Sequence, residues 1–196
     1  MNAIAAVASA IAAGAAYKAT RQANATADTV ARIERARHIG ELTPQFKFNF
    51  SNVTADSASF HVLLEGPDNL GHLDELRISI RDDDMLHQER PGHGGATQLE
   101  LDNFVWGPFR FRPRVDTSDE HGRGVGPFPL EVGAGRPLVL DRTRPGPWMG
   151  SRSQELWQRQ YEAFSIRLVL HCRRGEYQWR LERHLPQPQV TPNSAE

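Results

Sequence analysis

The sequence predicts a mainly β protein: an antiparallel β-sandwich (Ig-like or C2-like) of about seven to eight strands with one short helix, preceded by a long N-terminal α-helix. Small and apolar residues first recur at spacings of three and four, with no Gly or Pro between Ala16 and His38, which indicates a helix. After Pro44 the period changes to two, as in FKFNF at 46–50, which is typical of a strand with one buried face. Most Gly and Pro residues follow residue 65, where they predict turns between short strands.

Composition sets the class of the protein. A length of 196 residues suits one domain with an appendage, and 39% hydrophobic residues with 24% charged residues are enough for a buried core. Lys and Arg (23) nearly balance Asp and Glu (24), so no overall field attracts nucleic acid, and we expect no nucleic-acid partner. The single cysteine, Cys172, excludes an internal disulfide framework and favours a reducing compartment.

Changes of composition divide the chain into three predicted segments. Residues 1–40 are an apolar helix and stalk, which ends at Gly40 and at the extended backbone that Thr43-Pro44 imposes. Residues 41–186 are the β-sandwich domain. Residues 187–196 belong to a polar, proline-rich stretch and are predicted to be a disordered tail.

Alternation predicts the individual strands. The expected inward positions are Phe46, Phe48, Phe50, Ala58, Phe60, Val62, Leu64, Leu76, Ile78, Ile80, Phe164, Ile166, Leu168, Leu170, Cys172, Tyr177, Trp179 and Leu181. FVWGPFRFRPR (104–114) is predicted to be one strand, PLEV and RPLVLDRT two short ones, and GRGVGPFP (122–129) a flexible loop. SRSQELWQRQYEA (151–163) is predicted to be the one helix, capped by Ser151.

The fifteen residues from Ala3 to Tyr17 carry no charge and predict a single-pass membrane anchor. A spanning helix needs about 20 apolar residues, and this run is shorter and mostly Ala. The larger residues Ile4, Val7 and Ile11 nevertheless form one stripe among small ones, as in helices that pack within a bilayer. The alternatives are a self-associating soluble helix and, since no basic residue precedes the run, least favourably a signal peptide.

Basic residues follow this run, beginning with Lys18 and Arg21. The positive-inside rule then places the main domain in the cytoplasm, with a soluble cytoplasmic protein as the alternative. A heptad-like seam also predicts a possible homo-oligomer through the helix. The seam residues are Ala16, Ala19, Ala23, Thr26, Val30 and Ile33.

Several stretches together resemble uncharacterised bacterial proteins that have a short N-terminal anchor, a helical stalk and a β-sandwich head. The stretches are the Ala-rich run, the stalk, HIGELTPQF, ELRISIRDDD, VWGPFRFRP and RPGPWM. The resemblance implies the architecture and carries no activity.

Familiar catalytic motifs are missing from the sequence. It contains no GxSxG, HExxH, P-loop or CxxC pattern. Cys172 stays in phase with Leu168 and Leu170, so we interpret it as a small core residue rather than a nucleophile. We therefore expect a protein that is not an enzyme and needs no cofactor.

An acidic group of residues is the candidate metal site. Asp82, Asp83 and Asp84 follow a strand, and Asp116 and Asp119 lie in another loop. If the two loops converge, their carboxylates suit Ca²⁺, whereas nearby His87, His93 and His121 favour a transition metal. The alternative is that these carboxylates only cap the strand and solvate the loops.

A basic group of residues is the candidate binding surface. Alternation places Arg110, Arg112 and Arg114 on one face of their strand, and Arg77 and Arg81 on one face of another. If the two strands share a sheet face, the guanidinium groups suit anionic headgroups, phosphate or an acidic partner. The alternative is a solvated outer face paired with Asp and Glu.

The leading functional hypothesis is a non-enzymatic interaction or scaffold domain, anchored to a membrane, that faces the cytoplasm and binds an unknown protein partner. One alternative is a Ca²⁺-dependent β-sandwich that binds lipid or another ligand. Another is an unrecognised hydrolase that uses the His and Asp residues of the loops.

Charging the apolar run tests the anchor. Ala10→Asp places a carboxylate at the centre of the run, at a cost of about 2.5–3.5 kcal/mol on insertion scales, so we expect it to move the protein from the membrane pellet to the soluble fraction. Ala27→Asp in the stalk is the control and should leave the protein in the pellet. In a soluble oligomer Ala10→Asp would instead change the size of the particle, and a wild type that is soluble and monomeric contradicts both hypotheses.

Overall fold

The computed structural model describes residues 2–85, 87, 95–150 and 153–189, with residues 2–20 described by their backbone alone. Contacts within the chain group it into two compact units, Met1–Thr43 and Pro44–Glu196.

The first unit is a single helix, α1 (Asn2–Glu41), about 60 Å long at 1.5 Å per residue. Its last turn is closed by the amides of Leu42 and Thr43, which donate to the carbonyl oxygens of His38 and Gly40. The helix therefore ends one residue after Gly40, close to the predicted position. None of the helices in the described part of the chain combines the length and apolar content needed to cross a membrane.

The described residues of the second unit form eight strands in two four-stranded antiparallel sheets packed as a β-sandwich, as the alternation predicts. The strands are β1 (Gln45–Ser51), β2 (Ser57–Gly66), β3 (His72–Ile80), β4 (Phe109–Phe111), β5 (Gly124–Glu131), β6 (Gly135–Arg142), β7 (Ile166–Arg174) and β8 (Tyr177–Leu185). One sheet has the order β1-β2-β6-β4 and the other β5-β3-β7-β8.

The core lies between the sheets and is built from the predicted inward positions of the central strands. Phe60, Val62, Ile78 and Leu168 are almost completely buried, because their strands have neighbours on both sides. The phenylalanines of β1 are only half-buried because β1 lies at a sheet edge, where Phe48 stacks on Phe60 with ring centroids 5.8 Å apart.

Two predictions of secondary structure were wrong, one of a strand and one of a loop, and both segments contain prolines. FVWGPFRFRPR gives only the three residues of β4, because Pro108 and Pro113 have no amide hydrogen to donate to a ladder. GRGVGPFP was predicted to be a flexible loop, yet most of it lies in β5. β5 is an edge strand in which Pro127 and Pro129 are exposed, so their missing amide hydrogens interrupt no central ladder.

In the part of the second unit that the structure describes, two α-helices accompany the sandwich, where the sequence predicted one. The predicted helix is α3 (Gln154–Tyr161), and its cap is Ser153, whose hydroxyl accepts the amide of Leu156; the predicted cap, Ser151, lies outside the described residues. The unpredicted helix is α2 (Gln98–Asn103). It begins with a capping box, Thr97-Gln-Leu-Glu100, a pattern that predicts a helix start.

A chain that starts at Leu42 should fold on its own. No described side chain between residues 21 and 41 is buried, so that part of the helix adds no core burial. We expect cooperative urea unfolding with a midpoint close to that of the full chain. A broad, non-cooperative transition in the shortened chain, beside a cooperative one in the full chain, would show that the boundary is misplaced.

Candidate ligand-binding cavity

A cavity of about 480 Å³ opens between α2, β4 and the loop that follows β6. Its lining consists of Leu99, Glu100, Asn103, Phe104, Val105, Arg110, Glu120, His121, Thr143, Arg144, Pro145, Gly146, Pro147 and Trp148. Aromatic, aliphatic and proline side chains thus surround a small number of charged groups.

Aromatic rings form one wall of the cavity. Phe104 meets Trp148 edge to face at 5.3 Å between ring centroids, and meets Trp106 in the same way at 4.7 Å. The Trp148 ring lies directly over Gly146, where a β-carbon would come within 2.5–2.8 Å of ring atoms. Any larger residue at position 146 would therefore displace the Trp148 ring from this wall.

Thr143 holds the inner side of the cavity together. It is buried, its hydroxyl donates to the carbonyl oxygen of Gly107, and the indole nitrogen of Trp157 donates to that hydroxyl at 2.9 Å. The backbone carbonyl oxygen of Thr143 accepts a hydrogen bond from the side-chain amide of Gln154 at 3.2 Å. One side chain thus joins the segment before β4 to α3.

Arg110 is positioned by the short strand β4. Phe109 and Phe111 on either side of it are buried, so Arg110 points to the opposite face. The Phe111 amide donates to the carbonyl oxygen of Gly122 at 2.8 Å. Gly122 has a φ of 74°, and a β-carbon there would lie 2.0 Å from the Phe111 oxygen, so only glycine allows this close approach.

The guanidinium of Arg110 forms no hydrogen bond or ion pair within the described residues, and its buried Nε has no acceptor. Asp141 lies directly across from Arg110 in the β4–β6 register. Its Oδ1, however, accepts two hydrogen bonds from Arg112, at 3.0 and 2.8 Å. This pairing raises the pKa of Arg112, and Arg110 forms no ion pair with any described residue.

The other charged groups of the lining have partners. Glu100 accepts from the amide and the hydroxyl of Thr97, which lowers the pKa of its carboxyl group. Glu120 lies 3.9 Å from Arg114 and 3.1 Å from His121, and Arg144 lies 3.6 Å from Asp56. Arg110 therefore differs from the other charged residues of the lining.

The five predicted basic residues do not form one surface. Arg77 lies in β3 and Arg81 directly follows it, whereas Arg110 lies in β4. β3 and β4 belong to different sheets. Arg81 pairs with Asp84 and Glu182. The remaining two, Arg112 and Arg114, lie beyond the end of β4, and Arg114 is largely exposed.

The two acidic loops do meet, but through an arginine. Arg123 donates to Asp82 Oδ2 at 3.0 Å. Asp119 accepts the amides of His121, Arg123 and Gly124 at 2.7–2.9 Å. Both carboxylates therefore stabilise the loops themselves.

The other candidate metal ligands are separated as well. Asp84 pairs with Arg167 at 2.9 Å. The hydrogen bond from Arg167 is the main reason that the pKa of the Asp84 carboxyl group is lowered. Asp116 occupies a left-handed turn with φ 53°. No group of three or more His, Cys, Asp or Glu residues within the described chain is placed to hold a metal ion, and His93 lies outside the described residues.

A histidine–aspartate pair forms beside the aromatic wall. His87 Nε2 lies 2.7 Å from Asp83 Oδ1, and the imidazole stacks on Trp106 with centroids 3.6 Å apart. The Trp106 carbonyl oxygen accepts the Asp83 amide at 2.8 Å. The pair thus holds Trp106, and through it Phe104, but neither His87 nor Asp83 lines the cavity.

Cys172 is buried in the core, and burial raises the pKa of its thiol to about 12. The thiol therefore stays protonated at neutral pH, which makes it a poor nucleophile.

Sequence analysis missed the cavity because its walls come from segments up to 49 residues apart, between Leu99 and Trp148. Parts of the lining were singled out separately, namely RPGPWM, VWGPFRFRP, Arg110 and His121, but no sequence pattern joined them into one site. The capping box of α2 was a further signal. Comparisons with protein-family models, with curated proteins and with solved structures found no match.

Substitutions at Thr143 test its role. Thr143→Val leaves the Trp157 indole nitrogen and the Gly107 carbonyl oxygen without partners, at about 1–3 kcal/mol for each buried group. Thr143→Ser keeps the hydroxyl and loses one methyl group, worth about 1 kcal/mol. We expect urea unfolding to show a clearly larger loss of stability for Thr143→Val; equal losses would mean that the hydroxyl does not join these elements.

Proposed function

We propose that the β-sandwich is a non-enzymatic interaction domain that binds a ligand in the cavity. The observation that carries this proposal is the Arg110 guanidinium, which borders an aromatic and proline-rich cavity without a partner among the described residues. A polar group buried without a partner costs free energy, and a bound ligand offsets that cost.

The size and chemistry of the cavity support this proposal. Ligand sites are typically clefts of about 300–1,000 Å³, with mostly apolar walls and a few polar groups that fix orientation. The volume of about 480 Å³ and the lining by Phe104, Trp148 and two prolines agree with that description.

A Ca²⁺-dependent binding domain and a hydrolase are less well supported by the positions of the residues that were predicted for them. A Ca²⁺ site needs carboxylate oxygens that face one point, whereas Asp82, Asp84 and Asp119 each bind arginines or backbone amides. A hydrolase needs a base within reach of substrate. His121 does line the cavity, but its acidic neighbour at 3.1 Å is Glu120, and the described lining contains no aspartate. The His87–Asp83 pair lies outside the cavity.

We also propose that the run from Ala3 to Tyr17 attaches this domain to a membrane, with the sandwich in the cytoplasm. The support is the sequence alone: an uncharged run with basic residues after it. The helix would then place the binding domain near a membrane surface.

Closing the mouth of the cavity tests the binding function. Leu99 lines the cavity on α2 and is 70% exposed, so Leu99→Trp should narrow the entrance with little effect on folding. The matched control is Leu156→Trp on α3, where the leucine is 57% exposed and outside the lining.

A library of small organic fragments serves as the probe, with binding followed by ligand-observed NMR on the full chain. We expect fragments that bind the wild type and Leu156→Trp but not Leu99→Trp. If no fragment binds, or if every binder is unaffected by Leu99→Trp, the cavity is not the binding site.

A further inference from the structure

We infer that the ligand is a small aromatic monocarboxylate, with its carboxylate on Arg110 and its ring against Phe104 and Trp148. This inference rests on the proposed binding function and adds the chemical class of the ligand.

The charge of the ligand follows from the balance of charges around the cavity. Arginine stays protonated in proteins, and the guanidinium of Arg110 has no counter-ion among the described residues. Arg144, by contrast, lies 3.6 Å from Asp56, and Asp141 is bound by Arg112. Arg110 is therefore the arginine of the lining that has no ion-pair partner among the described residues, and a planar carboxylate matches the planar guanidinium.

Glu100 and Glu120 limit the ligand to one negative charge. Both line the cavity, and the hydrogen bonds from Thr97 lower the pKa of Glu100 so that it stays ionised. A phosphate monoester would bring close to two negative charges beside these carboxylates, and like charges repel. A monoanion satisfies Arg110 with the least repulsion.

The aromatic part of the ligand follows from the walls. Phe104 and Trp148 already meet edge to face, and a further ring can pack against them at the usual centroid distances of about 4.5–7 Å. Pro145 and Pro147 complete an apolar surface beside the rings. A ring system fills this space with few rotatable bonds to immobilise, which keeps the entropic cost of binding low.

Binding of 2-naphthoate to the full chain, measured by calorimetry or ligand-observed NMR, tests the inference. Its neutral analogue 2-naphthamide has the same ring, and inorganic phosphate provides charge without a ring. We expect 2-naphthoate to bind about tenfold or more tightly than 2-naphthamide, because charge-assisted hydrogen bonds are roughly twice as strong as neutral ones. Phosphate should bind more weakly than 2-naphthoate.

Variants then locate the interaction. Arg110→Gln should abolish the preference for the carboxylate, whereas Arg77→Gln, which removes the same charge from the other sheet, should retain it. Thermal unfolding of Arg110→Gln confirms that the variant is folded. Leu99→Trp should prevent binding of both naphthalene compounds.

The outcomes separate the two proposals. Equal binding of 2-naphthoate and 2-naphthamide, both lost in Leu99→Trp, would overturn the ligand class and leave the cavity as the binding site. A carboxylate preference lost equally in Arg77→Gln would also overturn it, since the effect would then be one of net charge. If the naphthalene compounds and the fragment library all fail to bind, the proposed function itself is wrong.

Discussion

Thr143 is the one polar residue that is buried among the described residues of the sandwich, and the arrangement around the cavity depends on its hydrogen bonds. A buried hydroxyl is costly unless both its donor and its acceptor capacity are used. Here the hydroxyl donates to Gly107 and accepts from Trp157, so the requirement is met only when α3 and the segment before β4 take these positions. The polar group thereby specifies an arrangement that apolar packing alone would leave less well defined.

The second constraint is close backbone approach at glycine. Gly122 lets the chain pass next to β4, and Gly146 lets the Trp148 ring lie flat on the turn. The two glycines act on different parts of the site: Gly122 allows the close approach to the strand that carries Arg110, and Gly146 leaves room for the Trp148 ring. These local requirements act together with the buried cluster of Trp106, Trp157 and Tyr161, against which Phe104 packs.

The fold was predictable because its signal is local. Alternation in β2, β3 and β7 marks the buried face residue by residue, and burial of Phe60, Ile78 and Leu168 confirms it. The wrong predictions occur where the position of a segment in the fold overrides its local preference. The prolines of β5 are tolerated because β5 is an edge strand. No sequence pattern states which strand lies at an edge. For the same reason the sequence could not place Arg77 and Arg110 on different sheets, or show that Asp82 and Asp119 meet through Arg123.

The contrast between Arg110 and Arg112 shows how the structure separates two residues that alternation treats as equivalent. Both were predicted on one face of one strand, and both lie near Asp141, which is directly across from Arg110. Arg112 follows the last residue of β4, and its amide still donates to the carbonyl oxygen of Val139 on β6 at 2.8 Å. Its side chain reaches Asp141 Oδ1 with two hydrogen bonds. Asp141 Oδ1 therefore binds Arg112, whereas Arg110, directly across from Asp141 in the register, forms no ion pair among the described residues. Strand register alone thus does not decide which of two alternating arginines a carboxylate binds, and the arginine left without an ion pair among the described residues is the one that borders the cavity.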